Sequence, residues 1–244
     1  MRADVCQFAE VLELFAPDAV IFDLAPPLGH RLDLAGIGAW LDTVLWLGDR
    51  MGEAATVPYG GIGGYNYPIP YVISQLSGSY QSVPDFLDSQ HKIDTREDAQ
   101  AYLSRLEAFA RNVDLEIDAM RADAARGVVP PTYILDKALA QTRTLRNERG
   151  AEAGLVQSLV RRAREKNIEG DWATPAAAIV NGRLAAALDR QIAALTDLRR
   201  GAGASPAAGR LPEGERFYHL CLRYHTSTNL TPDEAHEVGL RQVA

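Results

Sequence analysis

The stretch TREDAQAYLSRLEAFARNVDLEIDAMRADAARGVVPP, residues 95–131, decides the fold of this chain. Thr95 is suited to cap the amino end of a helix, whereas Gly127 and the pair Pro130-Pro131 would prevent the helix from continuing. Between them, apolar residues recur at spacings of three or four, which places them on one face of a helix. These residues are Ala99, Tyr102, Leu106, Phe109, Val113, Ile117, Met120 and Ala124. The stretch predicts one long helix with a single buried face.

Weaker patterns of the same kind predict helices on both sides of this stretch. Downstream, we expect helices from residue 131 or 132, from about 155 to 166, from 174 to about 200, and from about 213 to 224. Upstream, residues 36–50 are expected to form a helix, and residues 1–30 fit either helix or strand.

The exception is a long loop, residues 57–83, rich in glycine, tyrosine and proline. A loop of this length is uncommon in a compact domain unless it is functional or packed down. Within it, residues 71–73 could form a short strand, and residues 82–85 are expected to open a short helix. The sequence therefore predicts a mainly α fold, a multi-helix array with one long loop.

The composition excludes several classes of protein. The chain has 244 residues, of which 47% are hydrophobic and 23% charged, as is typical of a folded globular protein. Its net charge of −7 has the wrong sign for a general nucleic-acid binder. No apolar run approaches the roughly 20 residues of a transmembrane helix. No signal peptide is visible, which favours the cytoplasm for the chain as written, and an exported longer form stays open.

Sequence motifs for phosphate binding, zinc binding and a serine nucleophile are incomplete or absent. The glycine run at residues 60–64 lacks the lysine of a phosphate-binding loop. His236-Glu237 would begin a zinc-binding H-E-x-x-H motif, but residue 240 is a leucine. No G-x-S-x-G elbow occurs, and Cys6 and Cys221 are too far apart in sequence for a zinc ribbon. We therefore predict no metal site and no cofactor in this chain.

Two clusters of polar residues are candidates for lining a substrate cleft. The first comprises Tyr71, Ser74, Gln75 and Tyr80, and the second Tyr224 and His225. Their hydroxyl, amide and imidazole groups could bind a ligand, although ordinary hydrogen bonding within loops and caps is the alternative. A metal-independent hydrolase with Ser74 or Ser79 as its nucleophile also stays open.

The end of the chain carries a strong helix start. Thr231 suits the N-cap, Pro232 the first helical position and Glu234 the third. The following residues, 235–243, contain no stop signal after the helix. We expect that the polypeptide was cut here; a short helix that frays is the alternative.

Three blocks of sequence resemble the bacterial family called domain of unknown function 885. They are PYVISQ (70–75) with GSYQSVPDFLDSQH (78–91), DAQAYLSRL (98–106) with GVVPP (127–131), and TSTNLTPDEAHEVGL (226–240). Their order and spacing also agree with the family. The resemblance covers about residues 42–244, so we expect residues 1–40 to be a poorly matched segment and residues 41–244 to be part of a larger domain.

The resemblance implies a function that this chain does not contain in full. Members are typically over twice as long, mainly helical, and similar to zinc peptidases of the gluzincin type. Their zinc-site signature, a Pro-Gly-His-His-like stretch, lies in the C-terminal half and is absent here. The resemblance thus implies the N-terminal helical part of a zinc-dependent peptidase-like hydrolase, inactive alone, with no catalytic residue assignable.

The implied partners are the missing C-terminal half and a peptide substrate. We also expect self-association through exposed apolar surface. A non-enzymatic helical binding or interaction module that uses the loop at residues 65–80 is the alternative.

Overall fold

The structure, a computed structural model, describes residues 61–62, 68–226 and 228–243. Side chains are described from residue 69 onward, apart from that of Tyr224. These residues belong to one compact unit, Asp49–Ala244. The predictions for residues 1–60, including the helix over 36–50, lie outside the described residues.

Helices make up most of the described chain, which confirms the predicted mainly α fold. They are α1 (Ser79–Ser89), α2 (Arg96–Ala125), α3 (Thr132–Asn147), α4 (Gly154–Glu165), α5 (Ala173–Ile179), α6 (Ala185–Arg200), α7 (Gly214–Thr226) and α8 (Pro232–Val243). Two-residue strands β1 (Gly61–Ile62) and β2 (Pro68–Ile69) pair antiparallel, with Gly61 opposite Ile69. In this part of the chain, no helix is both long and apolar enough to cross a membrane.

Helix α2 is the centre of the main core. Its amino end is closed by a capping box, in which Thr95 accepts a hydrogen bond from the Asp98 N–H and the Asp98 carboxylate accepts one from the Thr95 N–H. Most of the predicted apolar face is buried, and Tyr102, Leu106 and Phe109 are fully so. Helices α1, α4, α5 and α6 all contact α2, so the positions of these four helices depend on it.

Helices α5 and α6 are halves of one continuous helix, as the sequence predicts from residue 174. The five residues Val180–Leu184 between them form a π-helical turn. This turn adds one residue to the helix and keeps Val180 and Leu184 buried. The Asn181 side chain within it accepts a hydrogen bond from the Gly150 N–H at 3.0 Å, which fixes the connection between α3 and α4.

Two local predictions for the long loop are wrong. Residues 71–73 form no strand, because the Ser74 N–H donates to the Ser77 carbonyl at 3.0 Å and the segment folds into a turn. Helix α1 begins at Ser79 rather than near Ser82, and Pro84 lies inside it. Its earlier start depends on a carboxylate from α2, described below, which no local pattern reveals.

A smaller apolar cluster lies under α7. Val128, Leu211 and Phe217 are buried there, and Tyr71, Leu220 and Cys221 pack against them. The 3-10 turn Ala208–Arg210 contacts α7 at Gly214 so closely that a Cβ on Gly214 would collide with the Ala208 carbonyl. This close approach explains a glycine at the start of the helix.

Helix α8 has the predicted cap but no buried residue. The Thr231 N–H donates to the Glu234 carboxylate at 2.8 Å, and the Glu234 N–H donates to the Thr231 hydroxyl at 3.2 Å. Asp233 and Glu234 lie in its first turn, and its apolar residues are exposed, at 47% for Leu240 and 84% for Val243. A helix whose apolar residues are exposed in this way is typical of a surface that packs against another element.

Gly214→Ala is expected to lower the free energy of unfolding by about 1–3 kcal/mol, because the new methyl group forces the Ala208–Arg210 turn away from α7. Urea denaturation measures the loss, and hydrogen exchange of the α7 amides locates it. Gly209→Ala is the matched control, since a Cβ there meets nothing within 4 Å. Equal losses in the two variants would contradict the close approach.

Gln191 is fully buried in α6, and neither its amide nitrogen nor its amide oxygen has a hydrogen-bond partner among the described residues. Gln191→Met keeps the length of the side chain and removes the unpaired amide, so we expect stability to rise by about 1–2 kcal/mol. Thermal unfolding compares it with Gln100→Met, at an exposed position of α2. A lower melting temperature for Gln191→Met would show that the buried amide is paired in solution.

Candidate functional site

The first predicted cluster comes together as one hydrogen-bonded turn between β2 and α1. The Ser77 hydroxyl donates to the Tyr71 carbonyl at 3.0 Å, and the hydroxyls of Ser74 and Ser77 are 2.7 Å apart. The Gln81 side chain donates to the Gln75 carbonyl at 2.6 Å. The segment is therefore ordered by its own polar groups, and its side chains are held in fixed positions.

Tyr80 anchors this turn to α3. Its ring is buried, and its hydroxyl lies 2.6 Å from the Ser74 carbonyl and 2.8 Å from the Gln141 side-chain oxygen. A phenol has one hydrogen, so it donates to one of these acceptors at a time. Burial, and secondarily the Glu116 carboxylate, raise the pKa of Tyr80 far above its ordinary value. Tyr80 is thus a neutral donor that positions the turn.

Glu116 of α2 holds the amino end of α1. Its carboxylate accepts from the Ser79 N–H at 2.7 Å and from the Ser79 hydroxyl at 2.8 Å. An acceptor here satisfies a backbone donor that the first turn of a helix leaves unpaired. Burial raises the pKa of Glu116 to about 6, although both hydrogen bonds lower it. Glu116 is not among the residues predicted from the sequence, yet its spacing from Val113 and Met120 places it beside the apolar face.

The contacts of Ser79 and Ser74 bear on the serine-nucleophile alternative. Ser79 is 5% exposed, and its hydroxyl donates to a carboxylate that also holds the backbone. Ser74 shares its hydroxyl with Ser77 and accepts from the Leu76 N–H at 3.1 Å. In the described contacts neither serine is paired with a histidine, so both read as structural residues of the turn.

One acceptor of the turn has no partner among the described residues. The Gln75 side-chain oxygen is buried, whereas the side chain as a whole is half-buried. This oxygen is enclosed by the protein, so a bound molecule could pair with it only if the Gln75 side chain moved. Next to it, Leu76 is 74% exposed. The role of Gln75 in ligand binding therefore stays a prediction.

Tyr71 ties the turn to the apolar cluster under α7. The Arg210 guanidinium donates to the Tyr71 hydroxyl at 2.8 Å and to the Val129 carbonyl at 2.7 Å. Burial raises the pKa of the Tyr71 phenol, and the neighbouring Arg210 charge opposes that rise. Arg210 was not selected from the sequence, because nothing local indicates that it reaches residues 139 and 81 positions away.

The second predicted pair, Tyr224 and His225, lies in the last turn of α7. The Tyr224 side chain lies outside the described part of the structure, and the His225 side chain is exposed. Tyr71, together with Leu220 and Cys221 from one turn earlier in the same helix, packs against the buried residues Val128, Leu211 and Phe217. The first cluster and α7 therefore share this apolar cluster, and the role of the predicted residues in a cleft stays a prediction.

The incomplete zinc motif also has a place in the structure. His236 and Glu237 lie on α8, and both side chains are exposed. Among the described residues, no group of three or more His, Cys, Asp or Glu side chains is close enough together to hold a metal ion.

Comparison with known families gives the membership of the chain. A family model described as "Bacterial protein of unknown function (DUF885)" matches residues 27–244. The chain belongs to the DUF885 family. The match begins before residue 41, where the sequence analysis expects the larger domain to start; that boundary stays a prediction. No curated protein matches the chain.

A solved structure has the same fold. It is described as "the putative lipoprotein from Colwellia psychrerythraea" and superposes with a TM-score of 0.79 at 19% identity. The match covers 88% of this chain but 38% of that one. At this identity the likeness establishes the fold alone. This DUF885 chain thus spans well under half of the length of that solved chain.

Glu116→Ala is expected to lower the free energy of unfolding by about 1–3 kcal/mol, because it leaves the Ser79 N–H and hydroxyl without their acceptor. Urea denaturation at pH 7 measures the loss. Asp118→Ala is the control on the same helix, since Asp118 is exposed. A loss no greater than that of the control would show that Glu116 does not hold α1.

Proposed function

We propose that this chain is the N-terminal helical part of a zinc-dependent, peptidase-like hydrolase and lacks the metal site. The hydrolase assignment rests on the three sequence blocks that resemble the DUF885 family. One observation above all supports the proposal that this chain is only part of a longer protein. Nearly the whole of this chain matches little more than a third of a longer chain with the same fold.

In this proposal, zinc chemistry and peptide binding belong to different parts of the whole protein. Because no metal-binding group occurs among the described residues, the proposal assigns zinc to residues outside them. In such hydrolases the metal polarises the scissile carbonyl and activates a water molecule. The part described here would instead bind and orient the peptide. Gln75 is a candidate for this role, because its half-buried amide lies beside the exposed Leu76 and its oxygen would become available if the side chain moved.

The apolar side of α8 supports a further packed element in the whole protein. Leu240 and Val243 would be covered by the C-terminal half, in the same way that the other helices bury their apolar sides. Burial of that side would remove an exposed apolar surface that soluble proteins rarely retain. Self-association of the separate chain through this side stays a prediction.

The full-length gene product is expected to bind about one zinc ion per chain, the stoichiometry of a single catalytic site, and to cleave a peptide library. The 244-residue chain alone is expected to do neither. Elemental analysis measures the zinc, and mass spectrometry measures the cleavage. A chelator should abolish cleavage by the full-length protein, and added zinc should restore it.

The same experiment separates the alternatives. A full-length product with no stoichiometric metal and no cleavage would overturn the hydrolase assignment and favour a helical interaction module. Labelling of Ser74 or Ser79 by a fluorophosphonate probe would favour the serine hydrolase instead. We expect no labelling, because the Ser79 hydroxyl is buried against Glu116.

A further inference from the structure

His91 lies at the junction of three helices. It follows the end of α1, is 5% exposed, and packs edge-on against Tyr102 of α2 with the ring centres 5.4 Å apart. Phe86 of α1 lies on another side at 6.4 Å. The ring therefore fills the space between the carboxyl end of α1 and the first turns of α2.

Both ring nitrogens of His91 have partners that require the neutral form. Arg105 donates to Nδ1 at 2.5 Å, and an arginine side chain can only donate. Nδ1 must therefore carry a lone pair. Nε2 lies 3.0 Å from the Asp98 carbonyl, which can only accept, so Nε2 carries the hydrogen. These contacts fix one tautomer, and a second proton on the ring would remove the acceptor of Arg105.

The charges around His91 oppose a further positive charge. Arg105 of α2 and Arg162 of α4 both face it, and the Arg162 guanidinium donates to the His91 carbonyl. The nearby anions are otherwise engaged. The Asp98 carboxylate accepts from the N–H groups of Asp94 and Thr95, and Asp88 accepts from the Ser158 hydroxyl. Neither anion directly contacts the imidazole in the described hydrogen bonds.

Arg162 binds the carboxyl end of α1 to α4 through hydrogen bonds. Besides the His91 carbonyl, it donates to the carbonyls of Leu87 at 2.8 Å and Asp88 at 3.2 Å. These are carbonyls that the last turn of α1 leaves unpaired, and a cation is favourable at that end of a helix. The carboxyl end of α1 is thus held by two arginines and one neutral histidine.

We propose that His91 is an acid-sensitive latch, and that its protonation releases the carboxyl end of α1 from α2 and α4. This inference goes beyond the proposed function, since it needs no catalytic activity. Its consequence reaches the candidate site, because the other end of α1 carries Ser79 and Tyr80. Release of α1 would loosen the hydrogen-bonded turn that includes Gln75.

The direction of the pH effect follows from the folded structure. Burial lowers the pKa of His91 below the ordinary value of 6.5, the hydrogen bond to the Asp98 carbonyl and the Asp98 charge oppose part of this change, and the two arginines lower the pKa further. Below pH 6.5 the unfolded chain binds the proton more readily, so the contribution of His91 to stability is lost progressively as the pH falls towards its folded-state pKa. Above that window the contribution of His91 to stability is fully present.

Glu116 acts in the opposite direction over part of the same window. Its pKa is raised from 4.5 to about 6, so its protonation stabilises the folded state as the pH falls below 6. The net response of the wild-type protein therefore mixes two effects. A variant that differs only at His91 is needed to isolate the latch.

His91→Gln supplies an acceptor and a donor but cannot be protonated. Between pH 7.5 and pH 5.5, we expect the unfolding constant of the wild type to rise about three- to tenfold more than that of His91→Gln, the range for one proton. Urea denaturation at both pH values measures it. His236→Gln, at an exposed position on α8, should respond as the wild type does. An identical pH response in His91→Gln and the wild type would overturn the proposal.

A second measurement needs no variant and applies if His91→Gln does not fold. Hydrogen exchange of the wild-type chain, corrected for the intrinsic effect of pH, compares residues 86–94 with helix α6. When the pH falls from 7.5 to 5.5, we expect the protection of the amides of residues 86–94 to fall at least about fivefold more than that of the α6 amides. The upper limit is about tenfold, because one proton taken up one pH unit below its pKa changes an equilibrium by that factor. Unchanged relative protection would also overturn the latch.

Discussion

The apolar face of α2 has to be removed from water, and the rest of the main core depends on that requirement. At about 1.5 Å per residue, a helix of 30 residues is about 45 Å long, and among the described neighbours only the continuous helix of α5 and α6 approaches that length. Several helices are therefore needed to cover it, and α1, α4, α5 and α6 divide its length among them. Leu106, Phe109 and Val113 are fully buried because different neighbours cover successive turns.

Ion pairs favour one position of α6 along α2 and α3, and they contribute little to the stability of the fold. Arg190 binds the Asp114 carboxylate of α2 through two nitrogens at 2.8 Å, and Arg199 binds Asp136 of α3 at 2.7 and 3.0 Å. All four side chains are substantially exposed, so water screens the attraction. The paired geometry still favours one register of α6, because a guanidinium and a carboxylate match in only one orientation.

Elements whose ends are determined locally could be predicted from the sequence. Capping boxes at Thr95 and Thr231 pair each residue with the side chain three positions later at the amino end of a helix, and both helices begin as predicted. The start of α1 could not be predicted, because its acceptor, Glu116, lies 37 residues further along the chain. The π-helical turn Val180–Leu184 was missed for a related reason. The turn depends on how the residues before and after it pack against other helices, which no local sequence pattern shows.

The same distinction applies to the candidate site. Tyr71, Ser74 and Gln75 were selected for their polar groups and do lie in one turn, to which Tyr80 of α1 is hydrogen-bonded. Sequence alone could not show that most of those groups are used within the fold. Partners such as Gln141 and Arg210 lie 61 and 139 positions away from the tyrosines they contact. What the structure adds is a side-chain acceptor of this turn, on Gln75, that has no partner among the described residues.

Helix α1 connects this turn to the core through groups that titrate in opposite directions. At its amino end, Glu116 accepts two hydrogen bonds, and burial makes its carboxylate easier to protonate. At its carboxyl end, His91 must stay neutral, and burial beside two arginines makes its ring harder to protonate. Near neutral pH both ends hold, since the carboxylate is charged and the imidazole is not. Mild acid therefore affects the two ends in opposite senses: protonation of Glu116 favours the folded state, whereas protonation of His91, in the proposal above, loosens the carboxyl end of α1.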